Sequence, residues 1–184
     1  MEKENRIGRF QKAFIAMLVL CVLCVWGIFM DREIPREAEA ASMGKKQAVQ
    51  KAKSYLKVSA FSKQRLLEQL MFEGFSKSAA SYGVKHCGAS WKKQAEKKAK
   101  NYLKVAAFSK KALVKQLLYE KFTKKEAEYG VKHCGADWKK QAVKKAKSYM
   151  ELFTMSKKKM IAQLEFDGFT AAQAKYAAKK LGVK

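Results

Sequence analysis

The residues most able to do chemistry are two dipeptides, His86-Cys87 and His133-Cys134. Together they would offer four soft ligands, enough for a tetrahedral metal. Ligand pairs on one helix are normally spaced by two to four residues, because adjacent residues point apart. The same motif reads Lys180-Leu181 further along the chain, so a Leu replaces the Cys, as suits a buried apolar position. An inter-repeat disulfide would need Cα atoms about 4.4–6.8 Å apart, a separation that translated positions in neighbouring repeats seldom meet. Packed thiols at Cys87 and Cys134 are therefore expected, with a disulfide or a metal site as the alternatives. Cys–His catalysis also suffers from the adjacency, and no orienting Asn or Asp accompanies it. No Gly-rich phosphate loop, H-E-x-x-H or G-x-S-x-G occurs. The acids Glu68, Glu120, Glu126, Glu128 and Glu165 read as helix-surface partners of Lys. The chain is not expected to be an enzyme, and no cofactor or metal is expected.

The lysines are more informative. The chain has 184 residues, 40 Lys+Arg and 16 Asp+Glu, for a formal net charge of +24. Residues 1–44 hold six basic and six acidic residues, so the whole excess lies in residues 45–184. Lys92, Lys93, Lys97, Lys98 and Lys100 crowd one segment, and Lys139, Lys140, Lys144, Lys145 and Lys147 repeat the pattern. Some of these must simply face water. An excess this one-signed nevertheless predicts a basic face that attracts polyanions. Arg65 is the only Arg after Arg36. Arg is the residue of bidentate base and phosphate readout, so a Lys surface points to attraction without sequence readout.

The elements that hold these residues are repeated. Gln47, Gln94 and Gln141 open the strings QAVQKAKSYLKV, QAEKKAKNYLKV and QAVKKAKSYMEL at a constant offset of 47 residues. Such a period marks a repeat array whose units are too small to bury their faces alone, so tightly coupled units are expected. The third, more diverged copy reads as a terminal, capping one. Each copy predicts three short helices and no strand. The first is amphipathic, with Trp91, Ala95, Ala99, Tyr102, Leu103 and Ala106 at three- and four-residue steps, and Ser90 and Asp137 as N-caps. The second starts after Ser62, Ser109 or Ser156 and buries Leu66, Leu67 and Leu70, or Leu113, Val114 and Leu117, or Met160, Ile161 and Leu164. It should stop at Gly74 or Gly168; Lys121 takes that place in copy two, where the turn is expected to close differently. The third helix starts at Ser76, Thr123 or Thr170, two of them with capping-box spacing to Glu126 and Gln173, and ends at Gly88, Gly135 or Gly182.

The aromatic sets Phe61, Phe72, Phe75, Tyr82; Phe108, Tyr119, Phe122, Tyr129; and Phe166, Phe169, Tyr176 with Met155 recur in register and read as core. With them, Tyr55, Tyr102, Tyr149, Trp91 and Trp138 form the expected repeat core. The fold class is all-α: an N-terminal transmembrane or signal helix, then three tandem helix-turn-helix-like repeats at 45–90, 91–137 and 138–184.

The segment Ala13 to Met30 is uncharged over 18 residues, near the minimum for a hydrocarbon core of about 30 Å. Basic residues precede it, so the N-terminus should stay inside and the repeats lie outside, at the cell membrane. Residues 1–30 then form a cytoplasmic flank and signal anchor, and 31–44 a polar tether. The alternative is a signal peptide cut near Ala38-Glu39-Ala40, downstream of Pro35, which would release the repeats. Cys21 and Cys24 invite a lipoprotein reading, but Leu20 and Leu23 stand where a lipidated Cys wants a small residue.

The run HCGADWKKQAVKKAKSY and the unit around it resemble the repeat of the host cell surface-exposed lipoprotein (Ltp) family, over residues 47–184. The resemblance implies a Gram-positive surface protein of helix-turn-helix-like repeats with no catalytic residues. It also implies phage superinfection exclusion, in which an incoming phage's DNA injection is blocked through its tape-measure or another injection protein. The missing lipobox and the third repeat depart from the family pattern. The competing reading is a non-catalytic binder of anionic cell-wall polymer or membrane lipid. Nucleic-acid binding ranks below both, because export argues against a transcription role.

Overall fold

The computed structural model describes residues 44–184; the apolar segment 13–30 and the tether, with the signal-anchor and cleavage expectations, lie outside the described residues. Among those described there are nine helices and no strand, in three repeats of three. Repeat one holds α1 (Lys45–Val58), α2 (Lys63–Phe72) and α3 (Lys77–His86). Repeat two holds α4 (Trp91–Val105), α5 (Lys110–Tyr119) and α6 (Lys124–His133); repeat three holds α7 (Trp138–Leu152), α8 (Lys157–Phe166) and α9 (Ala171–Lys180). No described helix is long and apolar enough to cross a membrane.

The helix starts follow from local chemistry. Ser62, Ser109 and Ser156 each accept the third backbone N–H of the helix they precede, at 3.1–3.4 Å, satisfying a donor that the helix leaves orphaned. Thr123 with Glu126 and Thr170 with Gln173 form complete capping boxes. Asp137 caps α7 through Lys140 N–H at 3.0 Å. Ser90 makes no such bond at α4, so the expected cap is absent there.

The second helices close through a left-handed residue, with Gly74 at φ 91° and Gly168 at φ 88°. Lys121 does not close its turn differently. It takes φ 64° itself, and Phe122 N–H reaches the Leu117 carbonyl at 3.1 Å just as Phe75 N–H reaches Leu70 at 3.2 Å. The turn geometry overrides the side chain, at a strain of about 1–2 kcal/mol for a residue with a Cβ.

Each repeat closes its own core. Ala48, Ala52, Leu66, Leu70, Phe75 and Val84 form the first, and Ala95, Ala99, Leu113, Leu117, Phe122 and Val131 the second. Ala142, Ala146, Met160, Leu164, Phe169 and Ala178 belong to the third. The most extensive helix-on-helix packing lies within repeats, so each unit buries most of its own core, and the three repeats together fall in one compact unit. In repeats one and two the third helix approaches the first closely through a glycine, where repeat three has Ala177. A Cβ on Gly83 would stand 2.8 Å from the Ala48 backbone, and one on Gly130 2.6 Å from the Ala95 backbone. Small residues on both helices let ten-residue elements enclose a Leu-Leu-Phe centre. The repeats are linked where Trp91 and Ala89 pack on the first core and Trp138 and Ala136 on the second, where Lys121 pairs with Glu68, where Lys97 Nζ donates to the Leu56 carbonyl at 3.3 Å, and where Ser109 Oγ donates to the Asp167 carbonyl at 2.7 Å.

Candidate functional site

The ten lysines of the basic segments do not share one face. Along α4, Lys93, Lys97 and Lys100 lie opposite the buried Ala95 and Ala99, while Lys92 and Lys98 flank the buried stripe on either side. The flanking pair is engaged. Lys98 sits 3.3 Å from the Glu120 carboxylate and over the Tyr102 ring at 5.7 Å. Lys92 lies over the Tyr129 ring at 5.5 Å. On the outer face Lys93 and Lys100 bracket Glu96 at 3.5 and 2.7 Å. The Lys100 ammonium holds that carboxyl below the usual carboxylate range, against the opposing effect of burial. In repeat three, Lys145 lies over Tyr149 at 5.1 Å and Lys139 over Tyr176 at 5.4 Å. Lys140 approaches Asp137 at 3.9 Å, and no described acid pairs with Lys144 or Lys147.

A polar clip recurs that spacing alone did not reveal. In repeat one Tyr55 donates to the Glu73 carboxylate, accepts from Gln69 Nε2 at 3.3 Å, and has Lys51 over its ring at 5.5 Å. Repeat two has Tyr102 on Glu120 with Gln116 at 3.1 Å; repeat three has Tyr149 on Asp167 at 2.6 Å with Gln163 at 3.4 Å. Each clip ties the first helix to the end of the second. Burial, then the hydrogen bond to the acid, pushes Tyr102 and Tyr149 up to about 12. The shared offset of 18 residues between Tyr and acid was the available signal. Glu73, Glu120 and Asp167 thus serve the fold, and Glu126 serves as a capping-box acid. Glu68 does pair with Arg65 and Lys121, and the bond from Lys121 lowers its carboxyl.

Cys87 and Cys134 are buried free thiols in separate cores, donating to the Val84 and Val131 carbonyls at 3.2 and 3.1 Å. Their neighbours turn outward, where His86 stacks on Tyr82 at 4.1 Å and His133 on Tyr129 at 3.9 Å. No cluster of three or more His, Cys, Asp or Glu among the described residues could hold a metal ion.

The aromatic sets divide. Phe75, Phe122 and Phe169 are buried, and Tyr55, Tyr102 and Tyr149 are half-buried against their cores. Phe72, Tyr119 and Phe166 are instead 66%, 73% and 87% exposed. Each ends its second helix two residues past a buried Leu, which swings it about 200° off the core face. Tyr82 and Tyr176 are also exposed. Recurrence in register therefore did not mean burial. Phe72 and Phe61 line a cleft of about 320 Å³ with Arg65, Gln69, Lys98 and Glu120, between repeats one and two.

The model of a family described as host cell surface-exposed lipoprotein matches three times, at residues 44–87, 90–134 and 137–181. Among solved structures, Ltp, a superinfection exclusion protein from the Streptococcus thermophilus temperate phage TP-J34, is 35% identical. The match covers 50% of this chain and 95% of that one, with a TM-score of 0.47. No curated protein matches the chain.

Proposed function

Since the chain belongs to the host cell surface-exposed lipoprotein family, we propose that it is a surface-exposed binding protein that excludes superinfecting phage. It acts without catalysis, by occupying a phage injection protein such as the tape-measure protein and so stopping DNA entry. Residues 13–30 tether it to the membrane, with the N-terminus inside and the repeats outside. The observation that carries this reading is the threefold family match across the described repeats. The geometry supports a protein partner in one further way: each repeat exposes an aromatic residue at the end of its second helix, at Phe72, Tyr119 and Phe166. An exposed aromatic anchors a protein interface when a partner's pocket buries it.

The test is phage challenge of cells expressing the chain. Adsorption should be unchanged while phage DNA fails to enter. Exchange of Phe72, Tyr119 and Phe166 for Ala should restore infection with surface expression intact. Unchanged DNA entry across several phages would overturn the reading.

A further inference from the structure

One edge of every repeat is strongly cationic. It lies where the first helix begins and the third ends. Lys45, Lys92 and Lys139 sit over the rings of Tyr82, Tyr129 and Tyr176 at 5.4–5.5 Å. The third helices end there in Lys85 and His86, Lys132 and His133, and Lys179 and Lys180. Cations at a helix C-terminus are favoured by the dipole, so those residues need no further explanation. Two lysines in the first turn of each of α1, α4 and α7 add to them with no acid in that turn, although the dipole disfavours cations there, as it does at the lysine-bearing starts of the second helices. Lys45, Lys92 and Lys139 pair with no acid among the described residues. Most acids lie elsewhere: in repeat one, Glu68 and Glu73 are both on the second-helix side. In repeat three Asp137, the α7 N-cap, stands at this edge and approaches Lys140 at 3.9 Å, leaving Lys139, Lys179 and Lys180 without an acid partner among the described residues.

We infer that this edge binds a flexible phosphodiester polymer of the cell wall, one contact station per repeat. Lysine-only contacts suit phosphate attraction without base readout. Two other polyanions fit less well. A membrane surface calls for apolar side chains free to insert beside the cations; the exposed aromatics at this edge, Tyr82 and Tyr176, each lie under a lysine, and Phe72, Tyr119 and Phe166 precede the third helix, whose ten residues place them about 15 Å away. Duplex recognition favours Arg, which reads bases and phosphates bidentately, and no Arg lies on this edge. A flexible chain can reach each lysine station in turn. This surface is distinct from the exposed aromatics assigned to a phage protein, so either assignment can fail alone.

The experiment uses the full-length protein purified in non-ionic detergent, with labelled poly(glycerol phosphate) as the probe. Binding should fall steeply with salt. Lys45→Ala, Lys92→Ala and Lys139→Ala combined should weaken it by roughly tenfold and flatten the log–log salt slope by about two. The equally charged control Lys63→Ala, Lys110→Ala and Lys157→Ala removes cations at the starts of the second helices and should change affinity less than about threefold. Lys→Arg at the three edge positions should retain binding. No binding at low salt overturns the proposal, as does a control loss equal to the edge loss, or an Arg variant as weak as the Ala one. Displacement of the labelled polymer more effectively by duplex DNA or by phosphatidylglycerol in the micelles, at equal phosphate, also overturns it.

Discussion

Gly130→Ala in α6 tests the claim that each repeat is held by close contact of its first and third helices. The added Cβ would lie 2.6 Å from Ala95 C, 2.8 Å from Ala95 O and 2.8 Å from Glu96 N. All three are backbone atoms, so no side chain can rotate away and α6 must move off α4. Overpacking of this kind costs about 1–3 kcal/mol. Three sub-3 Å contacts place it near the upper end. Replacing Gly by Ala inside a helix returns about 1 kcal/mol, leaving a net loss near 2 kcal/mol. For a unit this small that lowers the midpoint by roughly 8–16 °C. Two indoles read the outcome separately, because Trp91 packs on the first core and Trp138 on the second. In a Trp26→Phe background, the transition seen by Trp138 should fall further than that seen by Trp91, which packs on the first core but opens α4. A variant as stable as its parent would refute the close-contact argument. Equal shifts at both indoles would refute the independence of the cores.

Three further outcomes follow from the geometry. Asp137→Ala should cost about 1 kcal/mol by removing the α7 cap, whereas Ser90→Ala should be near neutral because Ser90 makes no cap bond; urea midpoints decide. Gly74→Ala should destabilise repeat one by about 1–2 kcal/mol from its φ of 91° alone, since nothing lies within 4 Å of the new Cβ, as read by Trp91 fluorescence. Tyr102 and Tyr149, raised to about 12 from an ordinary 10, keep protons in the folded state that the unfolded chain has lost. Their stabilising contribution is therefore full below pH 10 and disappears as pH climbs towards 12. It should be well under the ~2.7 kcal/mol of an unscreened two-unit shift, because both rings are partly exposed. Melting curves across that range should steepen their decline with pH relative to the Tyr102→Phe, Tyr149→Phe double variant.

Much of the local structure was legible because it depends on neighbours in the chain. The Ser and Thr caps, the helix periods and the threefold offset need only a few consecutive residues to operate. Misreadings arose where a residue's fate depends on a distant surface. Phe72, Tyr119 and Phe166 recur as faithfully as Phe75, Phe122 and Phe169, yet the first set faces water and the second the core. A repeat copies exposed and buried positions alike. The lysines of α4 and α7 form a dense run in sequence, but a 100° step per residue spreads them over three sides of a helix.

The sequence by itself determined the helical repeats, the segregation of net charge into residues 45–184 and the family. Tertiary structure alone decided how the first two repeats close their cores, since that depends on how near Gly83 and Gly130 bring their helices to Ala48 and Ala95. It also decided which lysines are neutralised by Glu96, Glu120 and Asp137, and which stand over tyrosines at an acid-poor edge. Helix approach and ion pairing are distances between remote segments, and composition and period carry no distances.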